Sequence, residues 1–437
     1  MLNKSASAPE ASGTAAATAV TATATTGTAT ATTGTATATT GTATAATGTA
    51  AADFDLNSAD LAENPYPAYA ELRSQCPVAH SDQVGWVVSG YQEVYEATCD
   101  HQVFRSDWGA KAPIPANIPR TAEPEQSDFM TYTEFSILPI EVDPPIHGPY
   151  RKLLQSMFAS RTVQETWTGD ARRIADELID ALDGRGEVDF VHAFSMPMSG
   201  RMLATAAGID EAERDLFQEL TMDLHGNIDA VNDFLRRSID TAERGAFAVL
   251  RHASIDGRPL TEQEKLGYGI ILVHAGWETT ASAISSMVFR LATEPELRAR
   301  LLADEALIPR AVEEFLRIDS PVQGLWRTAG QDTDLAGAEI HRGDKVLLMW
   351  GAANRDPEKF ADPDQVEFGR DPNPHLAFGV GVHRCLGAHL ARLTLNVSLE
   401  RILHRLPAFR VKPGEGPERV NGAVWATHHL PIEFLPS

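Results

Sequence analysis

The chain has 437 residues, is 43% hydrophobic and sets 37 Lys and Arg against 60 Asp and Glu, a formal net charge of −23. That length can bury a large core, and the acidic balance argues against nucleic acid or an anionic membrane as partner. Three cysteines (Cys76, Cys99, Cys385) give no disulfide framework. No run approaches the roughly 18 apolar residues of a membrane span, and the start lacks the leucine-rich core of a secretory signal. The sequence reads as a cytoplasmic protein.

Residues 1 to 52 are almost pure Thr, Ala and Gly, with Gly27, Gly34, Gly41 and Gly48 marking a seven-residue repeat. No large apolar side chains occupy coiled-coil seam positions, and the stretch cannot bury enough surface to offset the entropy of ordering. It reads as a disordered tail ahead of a folded domain at 53–437. From Asn64, Pro-Tyr-Pro and then Tyr69 and Leu72 predict a turn and a helix. Val84 to Ser89 reads as a strand, with a further helix over Tyr91–Cys99. Residues 106 to 140 hold Pro113, Pro115, Pro119 and Pro124, which forbid regular structure. A loop of that length inside a compact domain is usually functional.

Asp143-Pro-Pro-Ile-His147-Gly-Pro149-Tyr-Arg151 follows. If it is helical, His147 and Arg151 share one face at i, i+4, with Pro149 setting the start of the helix near itself. Amphipathic helices fill 164–254. Thr261 with Glu264 makes a capping box that opens one long helix reaching about Ala292. Its centre is Ala275-Gly276-Trp277-Glu278-Thr279-Thr280, and Gly276 inside a helix costs roughly 1 kcal/mol against Ala. Two readings stay open there: close packing with a solvated Glu278, or a widened turn at which Glu278 and Thr279 handle protons. Glu314 and Arg317, at i, i+3, read alone as a solvent-face pair. Pro321 to Arg327 is a turn into a strand, short strands alternate from Asp332 to Trp350, and Asn354 to Pro374 is an irregular meander.

The stretch that organises the chain is Phe378-Gly-Val-Gly-Val-His383-Arg-Cys385-Leu-Gly387. Leu386, Leu390, Leu393 and Val397 recur at helical spacing, which places Cys385 at the mouth of a helix. Unpaired N–H groups and the helix dipole there favour the thiolate, the form that binds metal. Gly379, Gly381 and Gly387 let backbone approach a flat, bulky group. No second cysteine lies at zinc-ligand spacing, whereas a single thiolate is how some haem proteins hold iron.

The full pattern F-G-x-G-x-H-x-C-x-G resembles the haem-binding signature of the cytochrome P-450 family. Three further stretches resemble motifs of that family in its order: D-P-P-x-H-x-x-x-R at Asp143–Arg151, A-G-x-[DE]-T-[TS] at Ala275–Thr280, and E-x-x-R at Glu314 and Arg317. The resemblance implies a mainly α fold with small β-sheets, the cytochrome P-450 fold, as a single large domain. It implies haem b on Cys385, with Phe378, His383 and Gly387 in the cysteine loop and His147, Arg151 and Arg327 on the propionates. Glu314 and Arg317 become a structural ion pair, and Glu278 and Thr279 the catalytic acid and alcohol. Val273, Ala275, Val322 and Leu325 are the implied pocket residues. The Pro-rich loop with Trp108, Ile114, Phe129 and Phe135 is implied to cover the substrate, and roughly 215 to 250 to form a lid.

The activity so implied is O2-dependent hydroxylation or epoxidation of a small apolar organic substrate by a monomer. Electrons come from NAD(P)H through ferredoxin reductase and ferredoxin, with Arg151, Lys152, Arg384 and Arg392 as a basic dock. A peroxide-driven haem-thiolate enzyme and a non-catalytic haem-binding protein are the alternatives. The Glu278–Thr279 pair argues against the peroxide-driven one.

Overall fold

A computed structural model describes residues 53–106, 136–222 and 226–435. The Thr/Ala/Gly stretch and Trp108, Ile114, Phe129 and Phe135 lie outside the described residues.

Helix α1 (Tyr66–Gln75) leads into strands β1 (Val78–Ser81) and β2 (Gly85–Val88), then α2 (Tyr91–Cys99) and β3 (Phe104–Arg105). Three helices, α3 (His147–Gln155), α4 (Ser160–Asp180) and α5 (Met196–Ala207), follow with β4 (Glu187–Asp189) between the last two. Helices α6 (Arg214–Met222), α7 (Ile228–Thr241) and α8 (Gly245–His252) come next, closed by the hairpin β5 (Ser254–Ile255) and β6 (Arg258–Pro259). Beyond it run α9 (Glu262–Gly276), α10 (Glu278–Thr293), α11 (Pro295–Ala303) and α12 (Ile308–Ile318). Strands β7 (Leu325–Ala329), β8 (Thr333–Leu335), β9 (Ala338–Ile340) and β10 (Lys345–Leu348) precede the short α13 (Trp350–Ala353). The last helix is α14 (Ala388–Arg405), and β11 (Phe409–Val411) to β14 (Pro431–Phe434) end the chain.

Helices make up about half of the molecule, and the strands form small sheets at its edge. The largest sheet runs β1-β2-β10-β7-β3, with β2 parallel to β10 and the other neighbours antiparallel. The main core lies between α4, α5, α9, α10 and α14, where residues such as Ile174, Phe194, Ile284 and Leu399 are fully buried. Among the described residues no helix is long and apolar enough to cross a membrane.

One expectation needs correction. The long helix predicted from Thr261 to Ala292 is two helices, interrupted at Trp277 (φ −97°, ψ −70°), which lies at the margin of the right-handed helical region between Gly276 and Glu278. Helix α3 starts at His147, near Pro149 as expected. A proline in the first turn lacks only an N–H that has no intrahelical partner anyway, so it does not delay the start.

The capping box forms as predicted and does more than cap. Glu264 accepts both Nη atoms of Arg258 at 2.7 Å, the N–H of Thr261 at 2.7 Å and the hydroxyl of Tyr150. One carboxylate thereby joins α3, the β5–β6 hairpin and the start of α9. Burial pushes its pKa up, but Arg258, Tyr150 and the Thr261 N–H outweigh that and hold it at about 2. A folded-state value below the ordinary carboxylate range stabilises the fold above about pH 4.5 and loses that stabilisation as pH falls towards 2. In urea titrations, wild type should lose on the order of 2 kcal/mol across that window, discounted for the half-exposed Arg258, that Glu264→Gln does not lose.

Candidate active site

The cysteine loop is the floor of a cavity of about 280 Å³. Its backbone folds back on itself, the Cys385 N–H donating to Phe378 O at 2.8 Å. Gly379 (φ +61°) and Gly381 (φ +69°) sit in the left-handed region, which a side chain there would strain. The cysteine precedes α14 by three residues and is not its first turn, and the Gly387 N–H hydrogen-bonds the sulfur. Cys385 is deep in the molecule, yet its sulfur is open to the cavity. Burial raises the thiol pKa, and Gly387, Arg151, Arg392 and Arg384 offset only part of this. The expected net lowering is thus reversed in the protein alone: the stabilising groups are present, but removal from water outweighs them.

Beneath the loop, Glu314 and Arg317 are wholly buried, the reverse of a solvent-face pair. Arg317 clasps Glu314 through Nε at 2.9 Å and Nη2 at 2.7 Å. Its remaining donors reach the carbonyls of Asn354 (2.9 Å), Pro363 (2.8 Å) and Gln365 (3.1 Å). Glu314 in turn receives the Glu367 N–H at 3.0 Å, Asn373 Nδ2 at 3.1 Å and the Arg370 guanidinium at 3.2 Å. The meander of 354–373 is therefore folded around one ion pair, and it carries the chain into the cysteine loop.

One wall of the cavity gathers enclosed donors whose capacity is only partly met. His147, on the first turn of α3, is buried, and its Nε2 has no hydrogen-bond partner. Burial, His383 and Arg151 together push its pKa down to about 4. Arg327, on β7, is buried and is not among the residues that line the cavity; it donates to the carbonyl of Trp326 at 2.8 Å and makes no ion pair among the described residues. Burial lowers its pKa to about 10, with Asp143 opposing. Arg151 lines the cavity and reaches the carbonyl of Arg384 at 2.6 Å. His383 hydrogen-bonds Asp143 at 2.7 Å and meets the His147 ring at 4.5 Å between centroids. Burial pushes Asp143 up, but His383 and the Ser106 N–H at 2.7 Å hold it below its usual value. A dianionic group on the cavity floor would satisfy the orphan nitrogen of His147 and the Arg151 guanidinium that lines the cavity. A haem, with its two carboxylates and an iron that takes a thiolate, fits this donor set.

The opposite wall is the break between α9 and α10. Ala275, Gly276, Thr279 and Thr280 line the cavity, and the Thr279 hydroxyl donates to Ala275 O at 2.8 Å. Phe378, Gly387, Val322 and Leu325 also line it. Val273 does not: it is buried in the core, because it lies off the face that Leu272, Ala275, Gly276 and Thr279 share at i, i+3, i+4 and i+7. Glu278 is off the wall as well. Its half-exposed carboxylate lies 3.5 Å from His428 Nε2 on β13 (Ala426–His429), and that hydrogen bond raises the His428 pKa. The rest of the wall is largely apolar, with Leu203, Ile271, Pro321 and Val424, and with Tyr268 and His274 as titratable side chains.

The basic dock also needs correction. Arg392 is engaged twice by Glu313, at 2.7 Å each, and stacks 4.3 Å above the Phe378 ring, so its charge is met on the spot. Arg151 turns inward, leaving Lys152 and Arg384 as the exposed cations of that group. Sequence reasoning assigned no role to Asp143, although it stands in the stretch that carries His147. It also missed Ser199 and His428, which reach the break from α5 and β13 and carry no local signal.

A family model described as Cytochrome P450 matches residues 187–435. The cytochrome P450 monooxygenase PikC of Streptomyces venezuelae is 33% identical over 404 residues, covering 86% of this chain and 92% of its own. The structure of cytochrome P450 CYP109Q5 from Chondromyces apiculatus superposes with a TM-score of 0.77 at 30% identity, covering 88% of this chain and 99% of that one. CYP109E1 of Bacillus megaterium, in complex with testosterone, gives 0.74 at 28% identity, covering 85% and 100%.

Breaking the ion pair from one side strands a buried charge. Arg317→Ala should cost about 3–5 kcal/mol in urea unfolding. A loss under 1 kcal/mol would mean the meander holds without it.

Proposed function

The chain belongs to the cytochrome P450 family and is a haem-dependent monooxygenase, and from that premise we propose what its own residues do. Cys385 would ligate the haem iron, and His147, Arg151 and Arg327 would hold the propionates, with His383 beside them set by Asp143. The orphan Nε2 of His147, on the cavity wall with Arg151, is the observation that carries this reading. Haem bound there supplies the redox centre at which O2 is reduced and split. Residues 53–437 form the haem domain.

Thr279 and Glu278 manage protons. With its own hydrogen committed to Ala275 O, Thr279 presents oxygen lone pairs to the cavity and fixes an O–H donor, a water, in one orientation. Glu278 faces solvent beside His428 and reloads that donor. The substrate is an apolar organic molecule, in keeping with the wall of Leu203, Ile271, Val322, Leu325 and Val424. It is hydroxylated or epoxidised. The family's structural neighbour with testosterone bound is consistent with such a guest. Electrons come from NAD(P)H through a reductase and an acidic ferredoxin, which Lys152 and Arg384 face beside the cysteine loop. The enzyme works as a cytoplasmic monomer.

Cys385→His should abolish the thiolate signature in the reduced carbon-monoxide difference spectrum; its retention would rule the ligand out. Positioned proton transfer is typically worth about 10²–10⁴-fold. Thr279→Ala should keep haem and NADH consumption but send most electrons to hydrogen peroxide, cutting product per NADH by about tenfold or more. Undiminished coupling in that variant would leave Thr279 a packing residue.

A further inference from the structure

The break between α9 and α10 is clasped from outside, by α5. Ser199 is buried, and its hydroxyl lies 2.6 Å from Trp277 O and 3.2 Å from Gly276 O. The indole N–H of Trp277 reaches back to the carbonyl of Met196 at 3.3 Å. A Cβ on Gly200 would meet that indole nitrogen at 3.4 Å, an ordinary contact, so α5 packs closely against the ring. One turn on, Leu203 fills the space beside Gly276, where a Cβ would come within 2.9 Å of its methyl. Met196, Ser199, Gly200 and Leu203 are spaced i, i+3, i+4 and i+7, one face of α5.

Carbonyls at a helix break lose partners and need donors from elsewhere. At this break the Ala275 carbonyl takes the Thr279 hydroxyl, the Gly276 carbonyl has the Ser199 hydroxyl at 3.2 Å, and Trp277 O accepts both the Ser199 hydroxyl and the Ala281 N–H at 3.1 Å. The Thr279 donor is local and would survive in a straight helix. The Ser199 donor comes from another element and reaches Gly276 O and Trp277 O together where the helix is interrupted at Trp277. Ser199, Gly276 and Thr279 line the same cavity as Cys385.

We propose that Ser199 is a positioning residue for the oxygen-side reaction: its hydroxyl keeps the α9–α10 break open and so sets where the Thr279 hydroxyl stands. This rests on the reading of the cavity as the haem site. Without the hydroxyl, the Gly276 carbonyl recovers an amide partner by closing the helix, and the groove beside Thr279 narrows.

The test compares Ser199→Ala, Ser199→Thr and Trp277→Phe as full-length holoenzymes. Amide hydrogen exchange is followed over 275–283, and binding of 4-phenylimidazole by its spectral shift. Ser199→Ala should slow exchange at Trp277–Thr280 roughly fivefold as the helix closes. It should also raise the phenylimidazole Kd about tenfold. Trp277→Phe, which loses the tie to Met196, should move both in the same direction, and Ser199→Thr should match wild type. Unchanged exchange in Ser199→Ala overturns the proposal. Weaker binding with unchanged exchange also overturns it, because Ser199 would then touch the ligand itself. A Ser199→Thr variant as altered as Ser199→Ala points to packing and overturns it too. Failure of the haem-site reading is a separate result, seen as wild type lacking a Soret band before any variant is compared.

Discussion

A guanidinium and a carboxylate taken wholly out of water are stable only if nearly every donor and acceptor is met, and that condition shapes the lower half of this molecule. Arg317 and Glu314 satisfy each other from one turn of α12 and fill their remaining positions from the meander of 354–373. The meander has little regular structure of its own. Its path follows from where those two charges need partners. The cysteine loop inherits its position from that path, and the cavity inherits its floor from the loop.

The two walls above the floor obey opposite rules. On the side of α3, polar groups are enclosed with their needs partly unmet, His147 Nε2 above all. Such a wall is incomplete without an anionic guest. On the side of α9 and α10 the carbonyls of Ala275, Gly276 and Trp277 each have a hydroxyl, so that wall is complete in the protein alone. The hub at Glu264 ties the two together, because α3 and the start of α9 share its carboxylate.

Much of this was legible in the chain. The spacing of Thr261 and Glu264 foretold a capping box, Tyr91–Cys99 emerged as a helix with those bounds, and the loop pattern around Cys385 pointed to the site. What failed to show depended on partners far away in sequence. A helical pattern runs unbroken through Trp277, since periodicity does not register a serine on α5 competing for its carbonyl. Val273 was expected to line the pocket, but it stands two residues before Ala275, about 200° of rotation away on a helix. Arg392 looked like free charge until Glu313 appeared beside it. The thiol pKa was misjudged because dipole and N–H effects can be read locally, whereas burial cannot.

The apolar wall of Leu203, Ile271, Pro321, Val322, Leu325 and Val424 has a bearing on selectivity. Surfaces of this kind recognise shape, and one methylene more or less is worth only about 1–3 kcal/mol of discrimination. An enzyme built this way tolerates a family of similar guests and ranks them by fit. Its preferences are open to retuning by single changes of side-chain volume, with the reaction machinery left untouched. Rejection of close analogues would have to come from a polar contact, and His274, Thr279 and Thr280 are among the polar side chains that line this wall.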